Sequence, residues 1–178
     1  MISALLAVVV SQVVAPGAAP KPVEFAGAWP TVVPWKDGAV ERTVHLDESL
    51  VAERDGDEHT GAALRSAGAM VSLSKGRMRL WRVERASVVL QADPKLLPVY
   101  RDEGSTKMRV PIGGVLVVPT KGVAAAKLSA EVGGSVVANG VVRVQCAPTK
   151  VFELARSLST FAGVSWVQPD WWLGAQPK

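Results

Sequence analysis

The chain has 178 residues, 48% of them hydrophobic, and a formal net charge of +4. That is enough for one ordinary domain or two small ones and excludes wholesale disorder, while so weak a basic excess does not by itself indicate nucleic acid. The single cysteine, Cys146, excludes an internal disulfide, so an exported chain of this kind relies on packing. From the N-terminus, Ala4 to Ala15 is an apolar run of signal-peptide length, too short to span a bilayer comfortably. Small residues follow, and cleavage after Ala15 or Ala19 fits the small-x-small rule, although the first residues carry no Lys or Arg. Residues 1–19 are therefore read as a secretion signal, placing the protein outside the cell or in the periplasm. No later run is long enough for a membrane-spanning helix.

Residues 20–45 hold Pro20, Pro22, Trp29, Pro30, Pro34 and Trp35 and read as an extended linker or arm whose two Trp dock on the body. In residues 46–104, Leu50 to Glu53 reads as a strand and Asp57 to Ala67 as a helix. A hairpin follows about Lys75-Gly76, then a short helix over Ala86 to Gln91 and a strand over Leu97 to Arg101. Arg101 to Thr106 is polar and is the expected boundary.

Residues 105–173 read more clearly. Val115-Leu116-Val117-Val118 is a continuous branched run, hence a buried strand. Ala124 to Val132 is a helix ended by Gly133-Gly134. Asn139-Gly140 between apolar runs is a strong hairpin signal, because both central residues need positive φ. The return strand is Val141 to Cys146, with Cys146 a small buried strand residue. Thr149 is placed to cap the next helix. Val151, Leu154, Ala155 and Leu158 then mark one helical face, and Val164 to Gln168 is the last strand.

Strand-helix-strand-strand-helix-strand is the ferredoxin-like order, one sheet face under two helices and the other open. The fold class expected is α+β, with antiparallel sheets in two tandem ferredoxin-like units. Aligning Gly76 with Gly140 sets Met78 against Val142, Arg79 against Arg143 and Leu80 against Val144. A single irregular α+β domain stays open as the other reading of the first half.

The second unit resembles the propeptides of subtilisin-type serine proteases over about sixty residues. The resemblance rests on Gly133-Gly134, the hairpin, Phe152 to Leu158, and the ending Gly163-Val164 … Val167 … Pro169-Asp170. Gln168 stands where the family has an acidic residue. Such a propeptide folds beside its protease and inhibits it, so the resemblance implies a subtilisin-type protease as partner. It also implies that the tail beyond the last strand, Trp171, Trp172, Leu173, Gly174, Ala175, Gln176, Pro177 and Lys178, lies in the substrate cleft. Main-chain hydrogen bonding would supply affinity there, with aromatic anchors in pockets. Val141, Arg143 and Gln145, on the strand face away from Val142 and Val144, are expected on the open side where a partner docks. The other reading of Trp171 is that it closes the bottom of the core.

Enzyme chemistry has little support. His45 and His59 stand in no metal-ligand spacing, Asp55, Asp57 and Glu58 form a solvated acidic run, and Cys146 has no partner cysteine. The chain is not read as an enzyme, and no cofactor or metal is implied. Lys75, Arg77, Arg79, Arg82 and Arg85 around Trp81 suggest an anionic surface ligand, but a single aromatic platform is thin and a basic hairpin also guards a sheet edge. Nucleic acid is not expected as a partner. The alternative function is a secreted structural or adhesion module with a propeptide-like fold and no protease target.

Overall fold

Alternating branched and polar residues become strands, and the alanine- and leucine-spaced runs become helices. The computed structural model describes residues 25–26, 29–37, 40–56 and 58–173. Residues 1–19, read above as a secretion signal, and the tail Gly174 to Lys178 lie outside the described residues. In chain order the elements are β1 (Phe25–Ala26), β2 (Trp29–Pro30), β3 (Val32–Asp37), β4 (Val40–Arg54), α1 (Glu58–Ser66), β5 (Met70–Lys75), β6 (Met78–Arg82), α2 (Ala86–Ala92), β7 (Leu96–Asp102), β8 (Met108–Pro119), α3 (Ala125–Val132), β9 (Ser135–Val136), β10 (Val142–Val144), α4 (Val151–Ser159) and β11 (Val164–Leu173). The fold is α+β, with four α-helices among the described residues and strands that pair antiparallel.

The main sheet runs β5-β6-β4-β7-β8-β10-β9, with β3 added to β4 and β11 added to β8. Two long strands organise it. The C-terminal half of β4 pairs with β6 over 50–54, its first half pairs with β3 over 40–45, and β7 follows its opposite edge. In β8, residues 115–117 pair with β10 and residues 108–109 with β7, while β11 lies along 109–119. Both strands break register midway. In β4 the break falls between Leu46 and Val51, where the Asp47 carboxylate accepts from the Ser49 amide and hydroxyl at 2.9 and 2.6 Å. The β8 break falls between Pro111 and Val115, where Gly113 and Gly114 have φ of 89° and 121°. A side chain cannot replace the hydrogen at Gly113, because its Cβ would lie 2.8 Å from the Cys146 carbonyl.

Three clusters fill the interior. The first gathers Trp29, Val51, Leu80, Trp81, Leu90 and Val110. A second, under α3 and α4, gathers Val115, Val117, Leu128, Val142, Val151 and Val167. The third, between β3 and β11, holds Val33, Trp35, Val44 and Tyr100 with Trp171. Phe152 packs against all three. Trp29 and Trp35 therefore dock on the body, but through strands: the stretch read as an arm supplies β1, β2 and β3 and the start of β4.

Several local expectations shift. The return strand of the second hairpin ends at Val144, so Cys146 is a half-buried loop residue. Asn139 and Gly140 do take positive φ, 60° and 73°. Thr149 does not cap α4; a 3-10 turn over Pro148–Lys150 leads into it instead. The larger difference is length. β8 starts at Met108 rather than at the valine run, and β11 continues to Leu173 rather than ending at Gln168. The physical link is mutual, since the added first half of β8 gives residues 171–173 something to pair with.

Candidate functional site

β11 carries three of the residues singled out from the sequence, Trp171, Trp172 and Leu173. Trp171 is opposite Pro111, Trp172 opposite Val110 and Leu173 opposite Arg109. Because successive strand residues point to opposite faces, the two Trp go separate ways. Trp171 enters the third cluster, with ring centroids 6.2 Å from Trp35, 6.2 Å from Tyr100 and 5.9 Å from Phe152. Trp172 packs against the first cluster. Trp171 and Trp172 are therefore half-buried strand residues packed against the body and not part of a free tail. Leu173, 58% exposed, is the first residue of the run to face solvent.

Arg109 holds this corner together. Its guanidinium lies 4.8 Å from the Trp35 ring centroid and 6.0 Å from that of Trp171. It also grips Asp102 through two nitrogens, Nε to Oδ1 at 2.5 Å and Nη2 to Oδ2 at 2.9 Å. Planar guanidinium is suited to both contacts, stacking on the indoles and forking onto the carboxylate. Beside it the Tyr100 hydroxyl donates to the Pro30 carbonyl at 2.9 Å, and burial pushes the phenol well above its ordinary range, so it stays protonated.

On β10, Val142 and Val144 are buried while Arg143 is half-buried; Gln145, just after the strand, is exposed. The alternation thus sends Arg143 away from the second cluster, as read from the sequence. Arg143 is not idle there. It reaches Asp170 on β11, Nη2 to Oδ2 at 2.5 Å, crossing β8 where Gly114 leaves the surface bare. Val141 is half-buried just before β10. Leu116, Val118, Trp166 and Gln168, on the strands beside Arg143, are all half-buried.

A cleft that sequence reasoning missed opens between β3, α4 and β11. It has a volume of about 1090 Å³ and is lined by Pro34, Trp35, Phe152, Arg156, Trp166 and Pro169, among others. Its signal in the sequence is the unusual Trp and Pro content of 29–35, which reads locally as an arm. On its rim Lys150 donates to Glu153 at 2.8 Å; this bond and the mutual attraction raise the lysine pKa and lower that of the carboxyl.

The remaining reactive groups are dispersed. Burial pushes the Cys146 thiol up, only partly offset by a backbone hydrogen bond from Gly114, the opposite of an activated nucleophile. Trp81, the supposed aromatic platform of the basic hairpin, is fully buried and donates its indole N–H to Glu53 at 2.8 Å. Among the described residues no three His, Cys, Asp or Glu side chains gather as a metal site, and no helix is long and apolar enough to cross a membrane. No family model, curated protein or solved structure matches this chain.

Proposed function

We propose that this is an exported propeptide-like protein built of two tandem ferredoxin-like units, and that it binds a subtilisin-type serine protease as inhibitor or folding helper. The carrying observation is the strand order. Residues 108–173 run β9-β10-β8-β11, with α3 and α4 over Val115, Val117, Val142 and Val144, and residues 50–102 run β5-β6-β4-β7 in the same sequence of roles. The burial alternation of Met78, Arg79 and Leu80 matches that of Val142, Arg143 and Val144, which supports the duplication. The face carrying Leu116, Trp166 and Gln168 is the surface for docking, and the chain beyond exposed Leu173 is the segment offered to the substrate cleft. Affinity would then divide between a sheet face and an extended peptide.

A second reading has an observation of its own. Because Trp171 and Trp172 are spent on packing, only Leu173 and the residues after it remain to enter a cleft, which favours a secreted binding module without a protease target. Titrating a panel of subtilisin-family proteases with the whole chain and with one ending at Leu173 separates the two. Stoichiometric inhibition that weakens at least tenfold on removing 174–178 supports the tail mechanism. Inhibition unchanged by that cut moves the contact to the sheet face. Plain digestion of the protein without inhibition sinks the protease reading and leaves the binding module.

A further inference from the structure

The β5–β6 hairpin gathers charge that the rest of the chain does not. Residues 65–85 hold Arg65, Lys75, Arg77, Arg79, Arg82 and Arg85 against Glu84 alone, a net +5 in a chain whose total is +4. Two of these cations answer nearby carboxylates: Arg77 pairs with Asp55, and Arg79 lies 3.9 Å from Glu53. Arg65 lies over the Trp81 ring, 5.7 Å from its centroid. Lys75, Arg82 and Arg85 are exposed and form no ion pair among the described residues. A positive surface so little compensated attracts an anionic partner.

The same hairpin ends the main sheet. β5 pairs with β6 and with no other strand among the described residues. The Asp55 amide donates to the Arg77 carbonyl at 2.7 Å, so along the β6 line odd residues bond toward β4 and even ones toward β5. Met78 and Leu80 stand opposite Lys75 and Leu73, which turns the N–H and C=O of Ser74 outward. A register shift between Val71 and Leu73 leaves 73–75 regular. β5 carries no proline, and its apolar Met70 and Val71 are 64% and 50% exposed. Sheet edges are ordinarily blunted by proline, bulges, charge or shortness. The charge on this edge is of one sign, so it repels the same edge of a second copy and admits an acidic strand.

We infer that the β5 edge takes up an extended acidic segment of a protein partner as an added strand. Main-chain bonds to Ser74, apolar contact with Met70 and Val71, and carboxylates facing Lys75, Arg79 and Arg82 act together there. Arg79 and Arg82 stand on β6 opposite Ser74 and Met70. At the usual strand spacing they are roughly 10 Å from an added backbone, within the joint reach of an arginine and a glutamate. A nucleic acid would use neither the strand edge nor the apolar pair, and the buried Trp81 offers no ring for a base to stack on. This inference stands apart from the protease reading.

The test is a fluorescence-anisotropy titration with the whole chain. The probes are labelled, capped octapeptides of Val-Glu, Val-Lys and Pro-Glu repeats, beside a labelled oligothymidylate. Saturable binding of the Val-Glu peptide is expected, with none of the Val-Lys peptide. The Pro-Glu peptide has the same charge but cannot complete a ladder, so it should bind at least tenfold more weakly. Ser74→Pro removes one outward donor and no bond to β6, and should weaken Val-Glu binding about tenfold at an unchanged urea midpoint. Lys75→Glu combined with Arg82→Glu should abolish it. No binding of the Val-Glu peptide overturns the inference. Equal binding of the Pro-Glu peptide, or tighter binding of the oligothymidylate, overturns it by making charge alone the determinant. Unchanged affinity in a folded Ser74→Pro variant does the same. If Ser74→Pro shifts the urea midpoint, the ratio of Val-Glu to Pro-Glu affinity on the unaltered chain decides.

Discussion

At the scale of single residues, the protein places its charges where neighbours compensate them. Arg109 and Asp102 are each only 11% exposed in their side chains, and the guanidinium lies over the Trp35 ring with Trp171 beside it. Removing the arginine strands a buried carboxylate, which typically costs 3–5 kcal/mol, roughly. Arg109→Ala should therefore lower stability in urea by about 4 kcal/mol, and Arg109→Lys should recover only part of it, because an ammonium cannot fork and stack. An Arg109→Ala loss below about 1 kcal/mol would mean the pair is solvated. Asp47 gives a pH-dependent counterpart. Burial pushes its carboxyl up, but hydrogen bonds from Ser49 and Arg101 and the arginine charge outweigh that and hold it below its ordinary value. A lowered folded pKa contributes stability in full above the unfolded value of about 4 and loses it as pH falls through the folded one. The stability gap between the wild type and Asp47→Asn should thus be largest near neutrality and close as pH falls below about 4. Urea melts across that range would show it, and a gap independent of pH would remove the carboxylate from the account. Neither carboxylate was legible as a buried partner in the sequence, since Asp47 and Asp102 stand among polar neighbours and their partners are 54 and 7 residues away.

Among the elements, β8 and β11 decide most. The sequence shows β8 only from Val115, because Pro111-Ile112-Gly113-Gly114 carries turn residues and no alternation. Tertiary structure uses those same glycines as a mid-strand bend, with Arg54 donating to the Ile112 carbonyl at 2.8 Å. The bend sends the first half of β8 to β7 and gives the end of β11 its partner. A chain ending at Asp170 should consequently be destabilised by several kcal/mol, since it loses two half-buried aromatics, each contributing part of the about 3–5 kcal/mol typical of a fully buried one. A chain ending at Leu173 should unfold at the same urea concentration as the full one. Equal stability of both truncations would show that Trp171 and Trp172 are dispensable to the core.

Across the whole molecule, the two halves share their interior. Val110 and Trp172 from the second half pack in the first cluster, and Tyr100 from the first half meets Trp171 and Phe152. Shared burial of this kind couples unfolding. The chain is expected to unfold in one transition, with tryptophan fluorescence and far-UV circular dichroism coinciding. Two separated transitions would make the halves independent domains.

By itself the sequence determined the local alphabet: four helices, read over 57–67, 86–91, 124–132 and from 151 to 158, each within a residue or so of its ends in the fold, the two hairpins with their glycine turns, and the buried valines of the second sheet. These follow from periodicity and from backbone φ, which neighbours a few residues away dictate. Only the tertiary structure decided that 29–37 is strand rather than arm, that Trp171 and Trp172 pack against the core, and that a cleft lies between β3 and β11. Each of these depends on pairing or burial between segments that are distant along the chain, such as Trp35 with Trp171. Local pattern carries no record of such contacts, because a strand's partner is chosen by the surface left exposed once the rest has folded.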